Sequence, residues 1–100
     1  MKVNGFAIER FDLDGHRRIK LIGELDIATA DALSQELDGG SDGVQRLVLD
    51  TTRLEFIDST GLGLLVAARE KLGAGLELVP GKATERLLDL AGLREYFGFE

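Results

Sequence analysis

The chain of 100 residues has no cysteine, one histidine and one proline. Without cysteine it has no disulfide, no thiol nucleophile and no sulfur ligand for zinc, and His16 alone cannot supply the remaining donors of a tetrahedral site. A histidine-based triad would have to recruit His16 itself, which follows a predicted hairpin turn and adjoins Arg17 and Arg18; an ordinary surface residue is expected there. No stretch approaches the roughly 18 apolar residues of a membrane-spanning helix. Met1 to Phe11 alternates charged and apolar residues instead of forming a signal-peptide core. The expectation is a cytoplasmic protein without direct membrane insertion. Aromatic residues number six and the basic residues are scattered, so a nucleic-acid stacking platform has no basis and no nucleic-acid partner is expected. Gly61-Leu62-Gly63 follows a strand and opens a helix, yet neither GxGxxG nor GxxxxGK accompanies it. With no complete phosphate loop, lysine clamp or recognisable base, the chain is expected to be neither an enzyme nor a cofactor carrier.

What is present suits one packed domain covering residues 1–100: 44% of the residues are hydrophobic, enough for a core without a covalent staple. The formal net charge of −6 is uneven. Residues 1–22 carry a net +2, residues 23–60 a net −7 and residues 61–100 a net −1. The acidic middle repels phosphate backbones and anionic membranes and favours a partner with a basic docking surface, although the same charge also serves solubility.

Two strands are predicted at 6–11 and 16–22 around the turn Asp12-Leu13-Asp14-Gly15. Ile19 and Leu21 are out of step with Arg18, Lys20 and Ile22, which gives one buried face. From Ile27 to Leu37 the period becomes helical, with Ile27, Ala30, Leu33 and Leu37 on one side, Asp26 or Thr29 as cap and Gly39-Gly40 as the end. Residues 44–49 read as a central strand covered on both faces. A helix is expected from Ser59 to Leu72, although Gly61 and Gly63 in its opening turns each cost up to about 1 kcal/mol relative to alanine. Close approach by another backbone or by a partner would account for them. Leu76-Glu77-Leu78-Val79 is a strand ended by Pro80-Gly81. Residues 83–91 form a helix with Ala83, Leu87, Leu88 and Ala91 on one side, closed by Gly92. Glu95 to Phe99 reads as an edge strand, with helix as the alternative. The order is β-β-α-β-α-β-α with a possible final strand: an α/β domain with a mixed sheet, an antiparallel hairpin, right-handed crossovers and packed helices.

Asp26, Asp50 and Asp58 fall at predicted element boundaries. If the central strands are parallel, their C-terminal ends share an edge, bringing Glu24 or Asp26 toward Asp58. Oxygen ligation of Mg²⁺ is one reading of such carboxylates and helix capping the commoner one. The segment from Asp50 to Gly63 joins the third strand to the second helix. Phe56 and Ile57 are expected to pin it to the core and present Asp58 and Ser59 at the helix start. Unpaired N–H groups there suit a phosphate on Ser59, which would add about −1.5 to −2 charges and three acceptor oxygens. An ordinary N-cap at Asp58 or Ser59 accounts for the same residues.

Gly23-Glu24-Leu25-Asp26, the strand ending Leu47-Val48-Leu49-Asp50 and above all Phe56-Ile57-Asp58-Ser59-Thr60-Gly61-Leu62-Gly63 resemble the STAS domain family, and most closely its bacterial anti-sigma factor antagonists. The helix from Glu85 to Leu93 is a weaker match. The resemblance covers nearly the whole chain. It implies that Ser59 is phosphorylated by an anti-sigma factor of the histidine-kinase-like ATPase fold acting as a serine kinase. The unphosphorylated form would bind that factor, phosphorylation would release it, and a PPM-type, metal-dependent phosphatase would restore it. Thr60 stands where many antagonists have a second serine and is a minor candidate acceptor. The implied partner surface comprises Glu24, Asp26, Asp58, Ser59, Thr60, Gly61, Leu62 and Gly63, with Asp26 and Asp58 shaping the contact. The competing implication is a STAS scaffold or transporter-associated subunit that uses the same surface without switching.

Overall fold

The computed structural model describes residues 2–3, 5–38 and 44–99. Strands β1 (Lys2–Val3), β2 (Phe6–Leu13), β3 (His16–Leu25), β4 (Arg46–Ile57) and β5 (Leu76–Val79) form one sheet in that order. β1, β2 and β3 pair antiparallel, whereas β3, β4 and β5 pair parallel. Helices α1 (Ala30–Asp38), α2 (Ser59–Leu72) and α3 (Lys82–Ala91) return the chain between and after the parallel strands. The mixed α/β architecture and its β-β-α-β-α-β-α order are those expected, with the two-residue β1 added at the edge.

The hairpin turn is shorter than the four residues expected. Leu13 pairs with His16, leaving only Asp14 and Gly15 in the turn. Their φ values of 47° and 81° are those of a type I′ turn, whose twist matches the flanking strands and which needs positive φ at both central positions. Phe6 and Ile8 of β2, Ile19, Leu21 and Leu25 of β3, and Leu76 and Leu78 of β5 point to one core. Their alternation by two is the sheet's own period. Fully burying one such side chain stabilises by about 1.5–3 kcal/mol.

β4 departs most from expectation. It runs to Ile57 instead of ending at residue 49, so Asp50 is a mid-strand residue and not a boundary. Lys20 and Ile22 of β3 pair with Asp50 and Arg53, and Gly23 and Glu24 pair with Leu54 and Phe56. Each shift inserts one extra residue in β4, and the buried positions pass from a spacing of two at Leu47 and Leu49 to three at Leu54 and Ile57. Phe56 is consequently 47% exposed and does not pin the segment; Ile57 does. β4 is central, but Arg46 is exposed and Val48 half-buried, so its outward face is not fully covered.

α1 begins at Ala30, three residues later than expected, and Ile27 is 79% exposed in the preceding turn. Ala30, Leu33 and Leu37 pack inward as the helical period requires. Its expected end at Gly39-Gly40 lies outside the described residues. β5 pairs with β4 only from Leu47 to Asp50, so α3 packs beside the remainder of β4. Leu88 of α3 is fully buried, while Ala91, expected inward, is exposed. Gly92, at φ 70°, ends α3 as expected. The final segment is not an edge strand: Glu95–Phe97 forms a single 3-10 turn that buries Phe97. The N–H groups of Phe97 and Phe99 donate to the carbonyls of Leu93 and Arg94, so they are spent locally instead of in a ladder.

Candidate functional site

Parallel pairing puts the C-terminal ends of β3 and β4 on one edge, with Leu25 opposite Ile57. Just beyond them the Asp58 N–H donates to the Leu25 carbonyl at 3.2 Å, tying the two exits together. Asp58 has extended backbone (φ −107°, ψ −175°) and is the N-cap of α2. Its Oδ1 accepts from the Gly61 N–H at 3.0 Å and its carbonyl accepts from the Leu62 N–H at 2.9 Å. The first satisfies one of the helix's orphan donors, and the second is the first i→i−4 bond of the helix itself. The N–H groups of Ser59 and Thr60 have no acceptor among the described residues, and the first turn of α2 contains no acidic side chain. The last turn carries Arg69 and Lys71, which suits the negative end of the helix.

Ser59 is the first residue of α2 and its side chain is exposed, as is that of Thr60. Because Asp58 fills the cap, Ser59 has no capping role. Gly61 and Leu62 turn inward and are buried. A Cβ on Gly61 would meet Leu25 Cγ at 2.8 Å and Ile57 Cγ1 at 3.0 Å, so glycine here lets α2 sit directly on the two strand ends. Gly63 lies on the exposed side with open space around its would-be Cβ. Of the two glycines that oppose helix propensity, one is explained by packing and the other is not.

Asp26 opens α1 by a different device. Its Oδ1 accepts from the N–H groups of Ala28 and Thr29 at 2.9 and 3.2 Å. The Thr29 hydroxyl in turn accepts from the Asp26 N–H at 3.0 Å and donates to the Glu24 carbonyl at 2.9 Å. Both Asp26 and Asp58 are thus engaged with backbone N–H groups, as the capping reading requires. Among the described residues no group of three or more His, Cys, Asp or Glu side chains is placed to hold a metal ion. Glu24 is exposed beside Phe56, on the side of the sheet away from the core.

Asp50 belongs elsewhere. Its carboxylate is buried within β4 and accepts from Thr52 N–H at 3.0 Å, from the Thr52 hydroxyl at 2.6 Å and from Arg18 Nη2 at 2.8 Å. Burial pushes its pKa up, but the Thr52 bonds and the Arg18 guanidinium outweigh this and hold it below the usual carboxylate value. It is a structural ion pair with no side chain from the α2 entrance among its partners. The sequence pattern points Ile27 and Phe56 inward, but both are exposed. The available signal for Ile27 was its position between Asp26 and Thr29, both of capping type, whereas the strand irregularity that exposes Phe56 has no mark in the sequence.

A family model described as "Mlab, STAS domain" matches residues 9–97. The chain therefore belongs to the STAS domain family. It is 33% identical over 90 residues to the anti-sigma-F factor antagonist RsfB of Mycobacterium tuberculosis, covering 86% of this chain and 74% of that protein. It is 30% identical over 96 residues to the anti-sigma F factor antagonist of Paenibacillus polymyxa, covering 84% and 80%. The crystal structure of an anti-sigma factor antagonist from Mycobacterium paratuberculosis superposes with a TM-score of 0.83 at 36% identity, over 94% of this chain and 84% of that one. Each of these relatives is named as an antagonist of an anti-sigma factor.

Proposed function

We propose that this protein is a cytoplasmic anti-sigma factor antagonist that binds an anti-sigma factor of the histidine-kinase-like ATPase fold and is released when that partner, acting as a serine kinase, phosphorylates Ser59. Ser59 carries the reading: its hydroxyl is exposed at the first position of α2, next to a cap already filled by Asp58. A phosphate there would find the unpaired N–H groups of Ser59 and Thr60 and the positive end of the helix, which offset the repulsion from Asp58. The carrier stays folded, while a docked partner meets new charge and bulk. Names of the relatives support the partner class. A PPM-type phosphatase completes the cycle by removing the phosphate.

Glu24, Asp26, Asp58, Ser59, Thr60 and Gly63 form the proposed contact surface, with buried Gly61 and Leu62 setting the pose of α2 beneath it. Incubation with the host's anti-sigma factors and ATP, followed by intact and peptide mass spectrometry, tests the switch. One phosphate on Ser59, absent from Ser59→Ala, is the expected result, together with constitutive binding by that variant. A phosphate on Thr60 instead would move the acceptor. No phosphate in the presence of an active kinase, with co-purification of a membrane ATPase complex, would establish the non-switching subunit in its place.

A further inference from the structure

On its outer side β2 has only β1 as a neighbour, and β1 covers no more than Phe6 and Ala7. From Glu9 to Leu13 the outer edge of β2 is open among the described residues. An open edge is a template for another strand, and folded proteins blunt it with proline, bulges or charge. This stretch has no proline and pairs with β3 without a register shift. Phe11 and Leu13 on it are 62% and 74% exposed. They lie with Glu9 on the face of the sheet turned away from the core, because Phe6 and Ile8 are buried in the core and Arg10, in step with them, reaches Glu36 of α1 at 3.0 Å.

The two-residue turn fixes which main-chain groups this edge offers. Across such a turn the His16 N–H donates to the Leu13 carbonyl, so Leu13 and His16 form a hydrogen-bonded pair. Hydrogen-bonded and non-hydrogen-bonded pairs alternate along an antiparallel ladder. Leu13, Phe11 and Glu9 therefore direct their N–H and C=O groups to β3, and Asp12 and Arg10 direct theirs to the open side. The same alternation turns Phe6 outward, where Val3 pairs with it. Antiparallel pairing with the same edge of a second copy must set outward groups against outward groups, so it centres on Arg10, Phe11 or Asp12. Centred on Arg10 or Asp12, like charges stand directly opposite and oppose pairing. Centred on Phe11, Arg10 faces Asp12 of the other copy at both hydrogen-bonded positions, and the two phenyl rings meet at a non-hydrogen-bonded pair, where side chains come closest.

We infer that the protein forms a symmetric dimer through the β2 edges of two copies, with Phe11 on the two-fold axis and the two sheets joined into one. Within each copy Arg10 keeps Glu36 and Asp12 keeps Arg17, with the Arg10 and Asp12 side chains 42% and 45% exposed, and their charge pattern acts by excluding the other two registers. The edge also belongs to the part of the chain that is not acidic: residues 1–22 carry a net +2 in a protein of net −6, so two copies meet away from their mutual repulsion. This edge runs beside the N-terminal half of β3, whereas Ser59 stands beyond the C-terminal ends of β3 and β4. The dimer thus leaves both Ser59 hydroxyls open and stands or falls independently of the proposed switch.

Sedimentation equilibrium of the full chain between about 10 μM and about 1 mM should show monomer and dimer exchanging with a Kd on the order of 0.1 mM, as suits a small interface. Arg10→Pro removes an N–H that the edge leaves to solvent, so the monomer should still fold while Kd rises at least about tenfold. Because the chain has no cysteine, introduced thiols report the register. The Cα atoms of a non-hydrogen-bonded pair lie about 4.5 Å apart, within reach of a disulfide. Under oxidised glutathione a mixture of Glu9→Cys and Leu13→Cys should cross-link as a mixed dimer. Neither variant should cross-link with itself, since its two thiols would stand about 13 Å apart along the ladder. Ser59→Asp should dimerise as the unaltered protein does. An unaltered protein that stays monomeric to about 1 mM, a dimer indifferent to Arg10→Pro, or cross-linking of either cysteine variant alone in preference to the mixture would each overturn the assignment.

Discussion

Gly61 and Gly63 lie two residues apart in α2 and should respond to alanine with opposite signs. A methyl group at Gly61 would be 2.8 Å from Leu25 Cγ, 2.9 Å from Leu25 Cδ2 and 3.0 Å from Ile57 Cγ1. Leu25 is fully buried and Ile57 nearly so, and neither can yield without moving a strand end. Overpacking of this kind costs about 1–3 kcal/mol, against a helix-propensity gain of at most about 1 kcal/mol, so Gly61→Ala should lose about 1–2 kcal/mol. At Gly63 nothing lies within 4 Å of the added methyl, and only propensity acts. Gly63→Ala should therefore gain about 0.5–1 kcal/mol. For a domain of this size 1 kcal/mol corresponds to about 4–8 °C in Tm, so thermal and urea unfolding should separate the two variants clearly. Stabilisation by Gly61→Ala, or destabilisation by Gly63→Ala, would refute the packing argument. On the proposed contact surface, the methyl of Gly63→Ala should also lower affinity for an anti-sigma factor despite the greater stability, because it protrudes from the exposed face of α2 one turn after Ser59.

Asp58→Ala removes the acceptor of the Gly61 N–H and should cost about 1 kcal/mol in urea unfolding, with Asp58→Asn retaining most of the stability; equal losses in the two would place the effect in charge instead of capping. Asp50 has a depressed pKa in the folded chain, so its contribution is present above the unfolded value near 3.8 and is lost as pH falls through the lower folded value. Asp12 is depressed in the same direction, first by its hydrogen bond from Arg17 and then by the Arg17 and Arg10 charges. Stability of the wild type should thus decline on acidification from about pH 4 downward, and the gap to Asp50→Asn should narrow over the same window; a gap independent of pH there would contradict the ion-pair account. Arg69 donates to the carbonyls of Tyr96, Gly73 and Leu76 at 3.1, 3.2 and 3.0 Å, joining α2 to both the β5 entrance and the final turn. Arg69→Met should cost about 1–3 kcal/mol, and a change below about 0.5 kcal/mol would show that water replaces the guanidinium.

The α2 entrance was legible in the sequence because its chemistry is local. The Asp58-Ser59 pair before a helical run of leucine and alanine fixes the boundary within one turn and leaves the cap between those two residues, of which Asp58 is used, and both ends of α2 fall where the pattern places them. β5 and the closure of α3 by Gly92 were legible on the same terms, each bounded by neighbouring residues. β4 was not, because the reason Asp50 can stay inside a strand is Arg18, 32 residues earlier. Taken alone, an aspartate after Leu47-Val48-Leu49 argues for a strand end. Beyond it, two insertions against β3 replace alternation by steps of three, so no period marks Leu54 and Ile57 as core. The same irregularity turns Phe56 outward beside Glu24. Apolar residues that a period would bury are thereby released to the edge that carries Ser59. Ile27 follows the same logic, since the hydrogen bonds of Asp26 and Thr29 delay α1 until Ala30 and leave Ile27 in the turn. The exposed apolar residues around Ser59 are consequences of capping and bulge geometry, which neither the helical spacing at Ile27 nor the apolar pair Phe56-Ile57 reveals.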